Sequence, residues 1–206
     1  MKLQISFEFT NLPDALDLAK KTSQYADILE VGTLLIYKEG TKAINAFKNE
    51  FPNKEILADA KICDRPKDAI ELFTSAGADI ITVLAGTSNE IIHVATQTAH
   101  SLGKKIALDL MDSYSTGQSA MDSENLKVDS LIFIRSKEKA ISPETAEQWE
   151  SAKNNTSLPV FIAGNINKEN IKNIIALKPH GVAIGKAIAQ ATDPEQEAAF
   201  FKSILK

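Results

Sequence analysis

Short apolar runs recur along the chain about every twenty-five residues, each long enough for one buried strand. They are Leu3–Phe7, Ile28–Val31, Ile56–Ala58, Ile80–Leu84, Ile106–Leu110, Leu131–Ile134, Val160–Ala163 and Val182–Ile184. Between the runs the apolar spacing changes to that of a helix. Leu12, Ala15, Leu16 and Ala19 share one helical face, as do Ala69, Ile70, Phe73 and Ala76. Turn formers separate the units at Asn11-Leu-Pro13, Phe51-Pro-Asn53, Ala76-Gly-Ala78, Leu102-Gly103 and Lys178-Pro-His-Gly181. Ser142-Pro143-Glu144 and Asp193-Pro194-Glu195 each offer a capping side chain followed by proline, which predicts helix starts.

Strand and helix therefore alternate eight times, which predicts an α/β fold of the (β/α)8 TIM-barrel type. A doubly wound open sheet is the competing arrangement, but it usually has fewer strands. No Gly-x-Gly-x-x-Gly follows the first strand. The chain has 206 residues with no break in composition, so one domain over residues 1–206 is expected.

Composition narrows the partners. Lys plus Arg number 23 against 27 Asp plus Glu, a net charge of −4, which gives no reason to expect nucleic acid or an anionic membrane surface. The apolar runs are strand-sized, so no bilayer span is expected. The polar start Met1-Lys-Leu-Gln-Ile-Ser-Phe-Glu8 does not read as a signal peptide. Cys63 is the single cysteine, so no intrachain disulfide can form and a cytoplasmic setting is expected. Cys63 itself, Met111, Met121 and Trp149 read as packing residues.

In a barrel, chemistry gathers at the C-terminal ends of the strands, and there the chain places its charges. Glu8 ends the first strand, Glu30 the second, and Asp109 the fifth. The third ends in Leu57-Ala-Asp-Ala-Lys-Ile-Cys-Asp64, where period-two alternation points Asp59 and Lys61 to one side. So many carboxylates on one rim repel one another, and a divalent cation with oxygen ligands, Mg²⁺, would relieve them. Singly, each has an ordinary explanation: Asp64 could cap the helix begun by Arg65-Pro66, and Glu30 could pair with a lysine. Strand seven ends in Ala163-Gly-Asn165 and strand eight in Ile184-Gly-Lys186. Small residues in these two loops predict a phosphate cradle from Gly164, Asn165, Gly185 and Lys186. None of the three histidines falls at a strand C-terminus.

These residues also resemble a known family. Leu29-Glu-Val-Gly-Thr33, Leu57-Ala-Asp-Ala-Lys-Ile62 with Asp64, Ala76-Gly-Ala-Asp-Ile80 and Thr82-Val-Leu84 are similar to the orotidine 5′-monophosphate decarboxylase superfamily. Within it they match the branch of 3-hexulose-6-phosphate synthase and 3-keto-L-gulonate-6-phosphate decarboxylase. The resemblance runs nearly end to end, and its Asp-x-Lys-x-x-Asp element is intact. It implies a homodimer that shares active sites, Mg²⁺ held by Glu30 and Asp59, catalysis by Lys61, Asp59 and Asp64, and a phosphorylated sugar as substrate. It implies that Glu8, Asp109, Arg135 and Lys137 bind the sugar and that the loops of strands seven and eight bind its phosphate. Two positions depart from the family pattern: Glu8 stands where aspartate is usual, and Ile134 where a histidine is expected. The implied activity is a synthase-like, Mg²⁺-dependent lyase joining ribulose 5-phosphate and formaldehyde through an enediolate. The alternatives are a keto-gulonate-phosphate-type decarboxylase, favoured by Arg135-Ser-Lys137, and a sugar-phosphate binder without turnover.

Overall fold

The structure, a computed structural model, describes residues 1–134 and 142–205. Eight parallel strands close on themselves in sequence order, with β8 returning to pair with β1. They are β1 Lys2–Phe7, β2 Ile28–Val31, β3 Glu55–Ile62, β4 Ile80–Leu84, β5 Lys105–Asp109, β6 Ser130–Ile134, β7 Val160–Ala163 and β8 Gly181–Ile184. The chain is a (β/α)8 TIM barrel.

Alternation along each strand sorts the core into two populations. Leu3, Ile5, Leu29, Ile56, Ile81, Leu108, Leu131, Ile162 and Val182 face outward and pack against the helices. Ile28, Leu57, Ile80, Ala107, Ile132 and Phe161 face inward and fill the lower barrel as a separate apolar cluster. Two residues further along the strands the interior turns polar, with Glu30, Asp59 and Asp109 almost fully buried. A barrel holds its inward side chains in layers, so this change of character divides a packed floor from a reactive mouth.

The helices are α1 Leu12–Thr22, α2 Thr33–Glu39, α3 Thr41–Glu50, α4 Pro66–Ser75, α5 Asn89–Ser101, α6 Thr116–Asn125, α7 Pro143–Asn154, α8 Ile171–Ala176, α9 Lys186–Ala189 and α10 Pro194–Ile204. The two expected caps are present, Ser142 accepting from the Thr145 N–H and Asp193 from the Gln196 N–H, and Asn11, in a stretch read as a turn, also caps α1 by accepting from the Asp14 N–H. One departure lies between β2 and β3, where two helices replace one. Gly40, in the left-handed region at φ 61°, ends α2 and starts α3 within a single residue.

A second departure is in β3, which the apolar run alone limits to Ile56–Ala58. The strand continues through its charged residues to Ile62, and its register with β4 shifts between Ala58 and Ile62. Ala58 pairs with Ile81 and Ile62 with Val83, so β3 spends four residues where β4 spends two. Lys61 takes up the excess in the left-handed region at φ 46°. Three packing assignments also change. Cys63 and Met121 are exposed, and Met111 lies in the wall of the mouth, whereas Trp149 is buried as expected. Among the described residues no helix is long and apolar enough to cross a membrane.

Candidate active site

The C-terminal end of the barrel opens into a cavity of about 500 Å³. Glu8, Glu30, Asp59, Lys61, Asp109, Gly164, Asn165, Gly185 and Lys186 all line it, so nine sequence-predicted residues from six strands converge there. The acidic groups come from β1, β2, β3 and β5, and the glycine-ended loops from the neighbouring strands β7 and β8. Met111, Ile132, Ile134, Ala163 and Ala183 form apolar wall between them.

The Lys61 ammonium sits between two carboxylates, 2.5 Å from Asp109 Oδ2 and 3.1 Å from Asp59 Oδ1. Burial disfavours its charge, but the fields of Asp59 and Asp109 outweigh that and raise its pKa above the ordinary lysine value. The amine is therefore a fixed cation at neutral pH. Asp109, in turn, is raised by burial, and the Lys61 charge only partly offsets the rise. Its other oxygen accepts from the Met111 N–H at 2.9 Å, which fixes the carboxylate plane.

Asp59 is held from both sides. Thr33 donates to Oδ2 at 2.6 Å, and Thr82 donates to Oδ1 at 3.0 Å. Glu30 accepts from the buried Gln4 side chain at 2.6 Å. Burial raises the Glu30 carboxyl to about 8, and Asp59 and Glu8 add repulsion that the Gln4 bond only reduces. Glu8 reaches solvent at the mouth, yet the surrounding walls desolvate its carboxyl and raise it too, against the Leu34 N–H that it accepts at 3.1 Å.

Carboxylate oxygens of Glu8, Glu30 and Asp59 all lie within 4.8 Å of one another. Glu8, expected as a substrate contact, thus joins the two residues expected to hold metal. Gly32 makes this possible: a Cβ there would lie 2.5 Å from the Glu8 carboxyl carbon. Three hard oxygen donors, one of them buried and pushed toward its neutral form, suit a divalent cation such as Mg²⁺.

Across the mouth, β7 ends in two consecutive residues of positive φ, Gly164 at 97° and Asn165 at 49°. The buried Asn170 side chain pins this turn by donating to the Asn165 carbonyl at 2.8 Å and accepting from the Asn167 N–H at 3.0 Å. At the end of β8, Gly185 lies against β1: a Cβ there would stand 3.0 Å from the Ser6 carbonyl oxygen. Lys186 follows, exposed at the rim.

Asp64 is exposed and does not line this cavity; its Oδ1 accepts from the Arg65 N–H at 2.8 Å. Arg135 and Lys137 lie outside the described residues. Sequence reasoning gave no role to Gln4, Thr33 and Thr82, which orient the acids. The available signal was a polar side chain at an inward position of an otherwise apolar strand, clearest at Thr82.

The fold and this arrangement define a TIM barrel with a lysine held between carboxylates at its mouth, and the comparisons with known proteins place it in a family. The family described as "Orotidine 5'-phosphate decarboxylase / HUMPS family" matches residues 1–201. A 3-hexulose-6-phosphate synthase from Bacillus subtilis is 32% identical over 207 residues, covering 100% of this chain and 99% of that protein. The crystal structure of 3-hexulose-6-phosphate synthase from Salmonella typhimurium superposes with a TM-score of 0.91 at 31% identity, covering 100% of this chain and 98% of that one. The structure of 3-keto-L-gulonate-6-phosphate decarboxylase from Vibrio cholerae gives 0.88 at 26% identity, covering 99% and 96%. The chain belongs to the orotidine 5′-phosphate decarboxylase / HUMPS family, in its hexulose-phosphate synthase and keto-gulonate-phosphate decarboxylase branch, and is a carbon–carbon lyase.

Proposed function

We propose that this chain is a Mg²⁺-dependent 3-hexulose-6-phosphate synthase-type lyase that joins ribulose 5-phosphate to formaldehyde through an enediolate. The observation that carries the reading is the placement of the Lys61 ammonium between Asp59 and Asp109, beside the Glu8–Glu30–Asp59 cluster. An enediolate carries negative charge on oxygen, and a fixed cation in a desolvated mouth stabilises that charge more as it develops.

In this reading the Gly164-Asn165 turn and the Gly185-Lys186 loop hold the substrate phosphate. The sugar then lies along the cavity with its carbonyl end toward Lys61. Glu30 and Asp59, with Glu8, hold Mg²⁺, which when bound supplies Lewis-acid stabilisation of the enediolate oxygens. Asp59 serves a second purpose by fixing the Lys61 ammonium, and Asp109 fixes it from the far side. The apolar wall of Met111, Ile132 and Ile134 limits water around the reactive intermediate.

The protein is further read as a cytoplasmic homodimer in which Asp64 completes the partner's site. Its exposure outside its own cavity, together with the exposed Leu34 and Tyr37 on α2 beside the mouth, supports this reading. The test is substrate consumption. Purified protein with ribulose 5-phosphate, formaldehyde and Mg²⁺ should consume formaldehyde. Release of CO₂ from a 3-keto-hexonate 6-phosphate, with formaldehyde untouched, would assign the decarboxylase reaction instead. Thermal stabilisation by sugar phosphates with neither reaction would leave only a binding protein.

A further inference from the structure

Lys61 and Asp59 sit on the irregular part of β3, and something must hold that irregularity. Beyond Ala58 the strand carries two more residues than the facing stretch of β4. Lys61 adopts φ 46°, a conformation that a residue with a Cβ takes up only when its surroundings enforce it. In a regular ladder the Lys61 N–H would find a main-chain carbonyl. Here it donates to the side-chain oxygen of Thr82 at 2.8 Å.

Thr82 is the β4 residue between the two register points, Ile81 and Val83, and it is completely buried. Its flanking residues point outward into the helix-packed core, so its own side chain points into the barrel. Its hydroxyl makes two bonds in sequence, accepting from Lys61 N and donating to Asp59 Oδ1 at 3.0 Å. One oxygen thus ties the backbone of the lysine to the carboxylate of the aspartate. The Lys61 side chain then passes over β4 to reach Asp109 on β5.

We propose that Thr82 is a positioning residue of this site, whose buried hydroxyl holds the β3 bulge so that Lys61 and Asp59 face the reacting carbon. The inference rests on the reading of Lys61 and Asp59 as the acting groups. Valine has nearly the same shape as threonine but neither donates nor accepts. Thr82→Val would orphan the Lys61 N–H and free one edge of Asp59 while leaving the volume filled. Serine keeps the hydroxyl and loses only a methyl group.

The test compares Thr82→Val, Thr82→Ser and the unaltered protein in formaldehyde consumption, with kcat expressed per folded molecule. Thr82→Val should lower kcat at least about tenfold and change KM for the sugar phosphate less than about threefold, because the phosphate loops lie across the mouth. Thr82→Ser should stay within about threefold of the unaltered kcat. A purely structural role would lower thermal stability in both variants without this split between kcat and KM. A Thr82→Val kcat within about twofold of the unaltered protein would overturn the proposal, as would a Thr82→Ser variant as impaired as valine. Should valine fail to fold, Thr82→Ala reads the same contrast. A metal-free crystal structure of Thr82→Val gives a second readout that needs no turnover: Lys61 should leave φ 46° and lose its contact with Asp109. If the unaltered protein consumes no formaldehyde, the functional reading has failed. This structure then decides the role of Thr82 alone, and an unmoved Lys61 sinks it.

Discussion

Lys61 on β3 and Asp109 on β5 meet across the intervening strand, with 2.5 Å between ammonium and carboxylate. Neither group is near its partner in sequence, and both are desolvated; Asp59 and Asp109 together keep the ammonium charged, and the ammonium offsets part of the rise that burial gives Asp109. Asp109→Ala leaves Lys61 with Asp59 as its remaining carboxylate contact and frees the amine to move. The expected result is a kcat lowered by about ten- to a hundredfold with KM changed far less. Steady-state kinetics on the folded variant checks this.

Glu30 makes metal binding and stability depend on pH in opposite ways. Its folded value of about 8 lies above the unfolded value of 4.5, so the folded chain binds the proton more tightly. Without metal, stability from this group is fully present below the unfolded value and is lost as pH rises towards 8. Mg²⁺ must displace that proton, so its binding strengthens over the same interval. Thermal unfolding with and without Mg²⁺ should show a larger metal-dependent gain at about pH 8.5 than at about pH 6. Glu30→Gln should reduce both that gain and its pH dependence, leaving the smaller contribution of Glu8.

Gly32 holds its place because the Glu8 carboxylate occupies the space of a side chain. Gly32→Ala should push Glu8 out of the acidic cluster. The expected consequence is an approximately tenfold or greater loss of Mg²⁺ affinity by calorimetry, with unfolding temperature nearly unchanged in metal-free buffer. Equal affinity in the variant would remove Glu8 from the metal site.

A shared dimer site has a distinctive test. Lys61→Ala and Asp64→Ala variants should each be inactive, yet mixing them under conditions that exchange subunits should restore activity. With one intact site in each mixed dimer and half of the dimers mixed, about a quarter of the unaltered activity is expected. No recovery on demonstrated subunit exchange would place Asp64 outside the partner's site.

Much of this was legible in the sequence, and the reasons are local. Ile28–Val31, Ile80–Leu84 and Val160–Ala163 match their strands end for end, because apolar runs bounded by turn formers leave no other use for them. The apolar pattern ends the third strand too early because Asp59 and Lys61 interrupt it, and the bulge carrying them depends on pairing with β4. The break between α2 and α3 falls at Gly40, which is not among the turn formers read from the sequence, because its positive φ is a property of the folded chain. Glu8 lies at the mouth, as its place at the end of the first strand predicts, and its approach to Glu30 and Asp59 depends on the missing side chain of Gly32, twenty-four residues away. Thr33 and Thr82 lay within recognised stretches, yet only the closed barrel brings both hydroxyls onto one carboxylate.

In the proposed reaction a protonated amine at position 61, working beside bound Mg²⁺, stabilises an anionic sugar intermediate. This role is tested most directly by formaldehyde consumption with ribulose 5-phosphate in unaltered and Lys61→Ala protein, each assayed with Mg²⁺ and with chelator. Turnover of the unaltered protein should require Mg²⁺, and kcat should fall at least about a thousandfold in the variant. A variant within about tenfold of the unaltered kcat, or turnover indifferent to the chelator, would contradict it.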